Sequence, residues 1–312
     1  MAAWLQSNQV IRFRRKLVKF LTKLSIFVLL CGLAYLVLYP FLFKVLSSFM
    51  SDDDMRNALV NLIPMEWSLD IYRNILNDKN YTEAMWNTTW TAFLYASLTT
   101  ISTSMIGYGL SKCKFKAAGV MMILVLLSMM IPIYTLEIPT FLHFRFFDVL
   151  GILEFLGIGP QNLLNTPMAY GIMSACGFSF RSGILIILMR QYYMSIPDEL
   201  PEAANLDGAG PYMTFIRIIV PMAKSMMIVV FALSFAWNWT DTFYNSLLTP
   251  NTNLLPTVVA LMNSFGGDVG NTQLLAITAN TAALLAIVPL ILFYLLLQKK
   301  IVQGIERSGL VG

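Results

Sequence analysis

Charge and histidine are what this sequence lacks. Of its 312 residues only 12% are charged and 57% are hydrophobic, whereas about a quarter of an ordinary soluble domain is charged. So much apolar surface cannot be hidden by folding in water. His143 is the only histidine, so a zinc site built on paired imidazoles is excluded, and Cys31, Cys113 and Cys176 are too scattered to replace it. Three cysteines are also an odd number and imply no disulfide framework. Neither a Gly-x-x-x-x-Gly-Lys-Ser/Thr phosphate cradle nor a Gly-x-Gly-x-x-Gly turn after a strand pattern is present. The chain therefore carries no nucleotide site of its own, and energy for any work must come from elsewhere.

What is there is apolar length. Runs without an acidic or basic side chain extend over Leu24 to Phe43, Ala117 to Leu136 and Val269 to Gln298. Each reaches the twenty or so residues a helix needs to cross about 30 Å of hydrocarbon. More polar candidates lie between them. Six spans are predicted, at about 24–43, 84–111, 117–140, 166–190, 218–240 and 273–297, forming a single all-α membrane domain over 24–298. The second, rich in hydroxyls and glycine from Ser97 to Gly109, suits close contact between helices and reads as an interior helix.

The cations set orientation, because short loops carrying Lys and Arg resist translocation. Arg12, Arg14, Arg15, Lys16, Lys19 and Lys23 precede the first span, and Lys112, Lys114 and Lys116 follow the second. Arg190 and Arg217 flank the loop after the fourth, and Lys299, Lys300 and Arg307 lie in the tail. These sites belong on the cytoplasmic side, so residues 1–23 form a basic cytoplasmic segment, 299–312 a cytoplasmic tail, and both termini are inside. A net charge of +4 spread over four membrane-flanking sites reflects topology rather than a nucleic-acid partner. The outer segment from Lys44 to Glu83 is expected to form short interfacial helices.

The longest polar break on the cytoplasmic side, 195–217, reads as helix, turn, helix. Pro197 and Asp198 start a short helix with acids in its first turn. Gly208 and Gly210 stop it by allowing positive φ, and Pro211 begins the next. Such an acidic helix between two spans is either a solvated loop with ordinary caps or a handle for another subunit.

The residues here resemble the Glu-Ala-Ala (EAA) coupling motif of ABC importer permeases. Glu202, Ala203, Ala204, Gly208, Ile218 and Pro221 stand at its spacing, with Val220 in place of a leucine. The extended stretch from Ile196 to Ala209, including Asp207, looks like the carbohydrate-uptake branch, the maltose-type permeases. Gly107-Tyr108-Gly109-Leu110, Met130-Ile131-Pro132 and Trp239-Thr240-Asp241 are similar as well, and the tail looks more like the smaller permease of such a pair. The family commonly has Pro where Ser225 stands and Asn where Thr240 stands.

The resemblance implies a type I ABC importer permease fold, with 195–217 entering a groove of an ATPase subunit. Glu202 would pair with a basic residue there, Ala203 and Ala204 would permit close approach, and Gly208 would make the turn. It implies a second homologous permease, two ATPase subunits holding ATP and Mg, an extracytoplasmic solute-binding protein and a bacterial plasma membrane. A sugar or oligosaccharide is the implied cargo. About Val302 to Gly312 would enter the ATPase dimer interface.

Candidates for touching solute follow from polar residues in spans. Arg181 either binds a solute group or pairs with Glu137. Trp237, Asn238, Trp239, Asp241 and Tyr244 are either sugar-binding or interfacial residues, and Asn280 either lines the path or joins helices. An importer for another solute class keeps the loop. A secondary transporter calls for inverted repeats or matched broken helices, and the sequence displays neither.

Overall fold

The computed structural model describes residues 2–51, 53–54, 57, 59–60, 62–113, 115–251, 257–258, 261 and 272–309. Residues 310–312 of the tail and most of 252–271 lie outside this set. Among the described residues there is no strand, only helices and two isolated antiparallel bridges, Met50 with Trp67 and Phe147 with Gln161. The chain divides into two compact units, 1–74 with 269–284, and 75–268 with 285–312.

In the first unit the basic and first apolar segments form one continuous helix, α1 (Ala2–Ser47). Apolar residues surround it without periodicity, and Phe27, Leu36 and Phe41 are all exposed, the character of a helix meant for lipid or another chain. The segment that follows is folded rather than loose. Asp54 is buried and accepts the N–H groups of Met65 and Glu66 at 2.9 and 3.0 Å. Phe49 packs against the rings of Trp67 and Tyr72. A short helix, α2 (Asp70–Asn77), stands where interfacial helices are expected.

The second unit is built around α3 (Lys79–Lys112), which is capped by the Asp78 carboxylate on the Asn80 N–H. Its hydroxyls are turned inward. Thr99 bonds Ser179 at 2.9 Å, Ser102 donates to the Ser174 carbonyl at 2.7 Å, and several others satisfy themselves on the preceding turn. The span expected at 117–140 is two helices, α4 (Ala118–Met130) and α5 (Glu137–Arg145), bent by 100°. Pro132 explains the break: it withholds an N–H and forces Ile131 into an extended conformation. A short α6 (Ile152–Phe155) follows.

The span expected at 166–190 is likewise divided, into α7 (Pro167–Ala175) and α8 (Ser182–Met194). Gly177 and Arg181 between them have φ of 76° and 58°, left-handed conformations that no helix continues through. Broken helices, which the sequence did not disclose, are thus present at both places.

Beyond α8 come α9 (Glu199–Leu206) and α10 (Pro211–Thr214), then a π-helical turn over Phe215–Ile219. The chain continues through α11 (Val220–Trp239), the short α12 (Phe243–Leu248) and the long α13 (Thr272–Gly309). Pro221 has no N–H to give Arg217, and Val220 bonds instead to Phe215, which accounts for the wider turn. The core gathers Leu185, Met189 and Tyr193 of α8 against Ile219, Ala223 and Val230. Three described helical segments are long and apolar enough to cross a membrane, Lys16–Ser47, Pro211–Trp239 and Ala276–Gly304, and the bent pair passes the same test of length and composition only when taken together as one span.

Candidate functional site

The 195–217 loop presents α9 outward. Glu199 and Glu202 occupy its first turn, where the positive end of the helix dipole favours them. Ala204 is buried, whereas Glu202, Ala203 and Asp207 are exposed and Leu206 is 90% exposed. The helix is stopped by bonds from Asp207 N to Ala203 O at 3.0 Å and from Ala209 N to Ala204 O at 2.9 Å. Gly208 sits between them at φ 83° with nothing near its missing Cβ. Gly208 is the glycine stop expected from sequence, whereas Gly210, expected to share that role, is extended at φ −70°, and steric room is not why glycine is used at 208. Pro211 opens α10, Ile218 is half-buried in the π-turn, and Pro221 lies in the first turn of α11.

Both roots of this loop are held. On the incoming side Tyr193 is buried and its hydroxyl meets that of Ser104 at 2.5 Å. Gly107 lets α3 and α8 touch: a Cβ there would lie 2.9 Å from both Arg190 N and Met189 Cβ. Lys112 Nζ donates to the Ile196 carbonyl and to Asp198 Oδ1, both at 2.5 Å. On the outgoing side Tyr192 donates its hydroxyl to Met222 O at 2.9 Å, and the Tyr108 ring packs tilted against Phe215 with centroids 4.7 Å apart. Sequence reading registered Lys112 only as an orienting charge, and the pairing of Tyr193 with Ser104, 89 positions apart, left no local signal.

The candidate path residues do not form one site. Arg181 is exposed and lies over the rings of Phe180 and Trp237 at 4.6 and 5.1 Å. Its expected alternative, a pair with Glu137, is absent. The ion pairs among the described residues are Arg73 with Asp70 and Lys112 with Asp198. Aromatic faces supply the cation with a partner that needs no acid.

Asn238, Asp241 and Tyr244 form a second group, lining an enclosed space with Tyr95, Tyr170 and Thr88. Its volume of about 20 Å³ suits one water, which needs about 10–15 Å³. Asn238 donates to Ser234 O at 2.8 Å. Burial pushes the Asp241 carboxyl up to about 6, against N–H groups at the start of α12 that lower it. Trp239, by contrast, is buried, with its indole N–H on Ala286 O at 3.1 Å and its ring against Phe235. It is a packing residue here. Asn280 belongs to the first unit and is half-buried. Among the described residues no group of three His, Cys, Asp or Glu side chains could hold a metal ion.

Residues 101–307, about two thirds of the chain, match the family described as "Binding-protein-dependent transport system inner membrane component". The chain belongs to this family.

As such it is a multi-pass membrane protein and a transport subunit rather than an enzyme. This transport component is 27% identical over 291 residues to "Probable ABC transporter permease protein YurM" of Bacillus subtilis, covering 92% of this chain and 88% of that protein. It is 25% identical over 294 residues to "sn-glycerol-3-phosphate transport system permease protein UgpE" of Escherichia coli, covering 92% and 97%. To "Arabinooligosaccharides transport system permease protein AraQ" of Halalkalibacterium halodurans it is 24% identical over 283 residues, covering 90% and 93%. A chain of a bacterial ABC transporter described as importing the acidic polysaccharide alginate superposes with a TM-score of 0.72 at 24% identity, over 89% of this chain and 96% of that one. A chain of the alginate transporter with its substrate-bound periplasmic protein gives 0.59 at 16% identity, over 88% and 91%. These two likenesses establish a common fold.

Proposed function

We propose that the chain is one of two homologous permeases of an ATP-driven ABC importer in a bacterial plasma membrane, and that α9 is its coupling helix. The observation that carries this reading is a short acidic helix with Glu202, Ala203 and Leu206 exposed, on a loop whose two roots are bonded to the helices beneath. An isolated solvated loop has no need of an exposed leucine or of bonds that tie each root to a neighbouring helix. Glu202 makes a charge-assisted contact with a basic residue of the ATPase, Ala203 allows close approach, and Asp207 and Gly208 end the helix. Ala204 turns inward and seats α9 on its own chain, with Ile218 and Pro221 carrying the stroke into α11.

In this reading six segments cross the membrane, at about 24–43, 84–111, 117–140, 166–190, 218–240 and 273–297. Residues 1–23 and 299–312 are cytoplasmic, as the distribution of Lys and Arg supports. Two ATPase subunits hold ATP and Mg, a second permease completes the path, and an extracytoplasmic binding protein delivers solute. Closure of the ATPase pair draws the coupling helices together and rocks the bundles between outward and inward openings.

The cargo is a sugar or oligosaccharide. Relatives named for arabinooligosaccharides and for sn-glycerol 3-phosphate support a polyhydroxylated solute, and the exposed Arg181 beside Trp237 offers the cation and aromatic face such a solute uses. Glu202→Lys tests the coupling role. The variant is expected to insert and fold normally while losing uptake, and unaltered uptake would overturn the assignment.

A further inference from the structure

We infer that Lys112 is a positioning residue for the coupling helix: the last residue of α3 latches the start of α9 through two oxygens on either side of Pro197. The inference rests on the reading of α9 as a coupling helix.

Lys112 Nζ is 2.5 Å from the Ile196 carbonyl and 2.5 Å from Asp198 Oδ1. The lysine side chain is 7% exposed, whereas that of Asp198 is 71% exposed. This asymmetry decides what the contact does. A pair of exposed charges contributes little, but a buried ammonium is costly unless acceptors satisfy it. Lys112 is thus committed to these two oxygens, while Asp198 remains open to solvent.

Ile196 is itself buried, and Pro197 between the two acceptors has its φ fixed by the pyrrolidine ring. One cation therefore grips both ends of a stiff tripeptide. Asp198 is the residue immediately before α9, and its side chain does not cap that helix. Its carboxylate accepts instead from Lys112. The latch joins α9 to α3, and α3 is held against α8 by the Gly107 approach and by Arg190 Nε on Leu110 O at 3.4 Å. A push on α9 reaches α3 directly through this contact, without first passing along the chain through α10 and α11.

The test uses the full chain in lipid nanodiscs. Spin labels are placed at cysteines replacing Met105 and Asn205, both exposed, with Cys31, Cys113 and Cys176 changed to serine. The distance distribution between α3 and α9 is expected to be narrow in the parent, broad in Lys112→Met, and narrow again in Lys112→Arg, which keeps the cation. Asp198→Asn broadens it less. A narrow distribution in Lys112→Met, or in Asp198→Asn should Lys112→Met not fold, overturns the latch.

Recovery of an ATPase subunit with the tagged chain provides a second readout. Recovery with the parent and Lys112→Arg but diminished with Lys112→Met supports positioning for coupling, and equal recovery with Lys112→Met overturns that role. An ATPase missing even from the parent defeats the coupling reading, while the distance measurement still decides the latch.

Discussion

Tyr193 and Ser104 join their hydroxyls at 2.5 Å in the buried seam between α3 and α8. Neither side chain has solvent to fall back on: Tyr193 is wholly buried and Ser104 is 1% exposed. Tyr193→Phe leaves the serine oxygen without this partner, and a cost of about 1 kcal/mol is expected, as for other hydroxyl bonds between helices in lipid. Thermal unfolding of the purified chain in detergent checks it. Adding Ser104→Ala to Tyr193→Phe should cost less than the two changes made separately, because the bond is lost only once.

Gly107 makes a sterically sharper prediction. A Cβ at this position meets the Met189 Cβ and the Arg190 backbone nitrogen at 2.9 Å, and neither is the movable tip of a side chain. Gly107→Ala therefore forces α3 and α8 apart and is expected to destabilise the fold by about 1–3 kcal/mol. Gly109→Ala is the control, since nothing lies within 4 Å of its Cβ position. The same unfolding measurement should find it unchanged or slightly stabilised by helix propensity.

The roles of these residues were unevenly legible in the sequence. α9 was readable because its stop is local: Gly208 with φ 83° lies within a few residues of the carbonyls it caps. The inward hydroxyl face of α3 was also readable, since Thr99, Ser102 and Thr103 are too polar for lipid. Helix continuity was not. Hydropathy sums side chains and is blind to backbone, so the apolar run through Ile131 and Pro132 concealed a bend of 100°. Arg181 was marked as unusual by its charge, but its left-handed φ and its aromatic partners depend on Gly177, Phe180 and a tryptophan on another helix. Trp239 read either as a solute contact or as an interfacial residue, because composition does not reveal an indole bonded to the Ala286 carbonyl.

Asp241 predicts a pH dependence. It lies beyond the end of α11, and desolvation raises its carboxyl to about 6 from 3.8, partly opposed by N–H groups of α12. The folded protein thus holds this proton more tightly than the unfolded chain. Stability from this group is present below about pH 4 and declines as pH rises to about 6, then stays level. The upper size of the effect is about 3 kcal/mol, at 1.36 kcal/mol per unit. Asp241→Asn should remove this slope from melting curves taken across that range and raise the melting temperature at pH 7. An unchanged slope counts against the burial of the carboxylate.

Gly208→Ala separates the shape of the coupling helix from its charge. The site has open space around it, so the penalty is that of the left-handed conformation, about 1 kcal/mol. The fold should survive, while the end of α9 is redirected and uptake falls. Asn at 208, which tolerates that conformation better, should restore part of the uptake.

The most direct measurement of the central claim is recovery of partners. The tagged chain would be extracted from native membranes in mild detergent and everything bound to it identified by mass spectrometry. The expected result is an ATPase subunit and a second multi-span permease, the ATPase being lost from Glu202→Lys while the chain itself remains folded. Recovery of the folded wild-type chain alone would contradict the account.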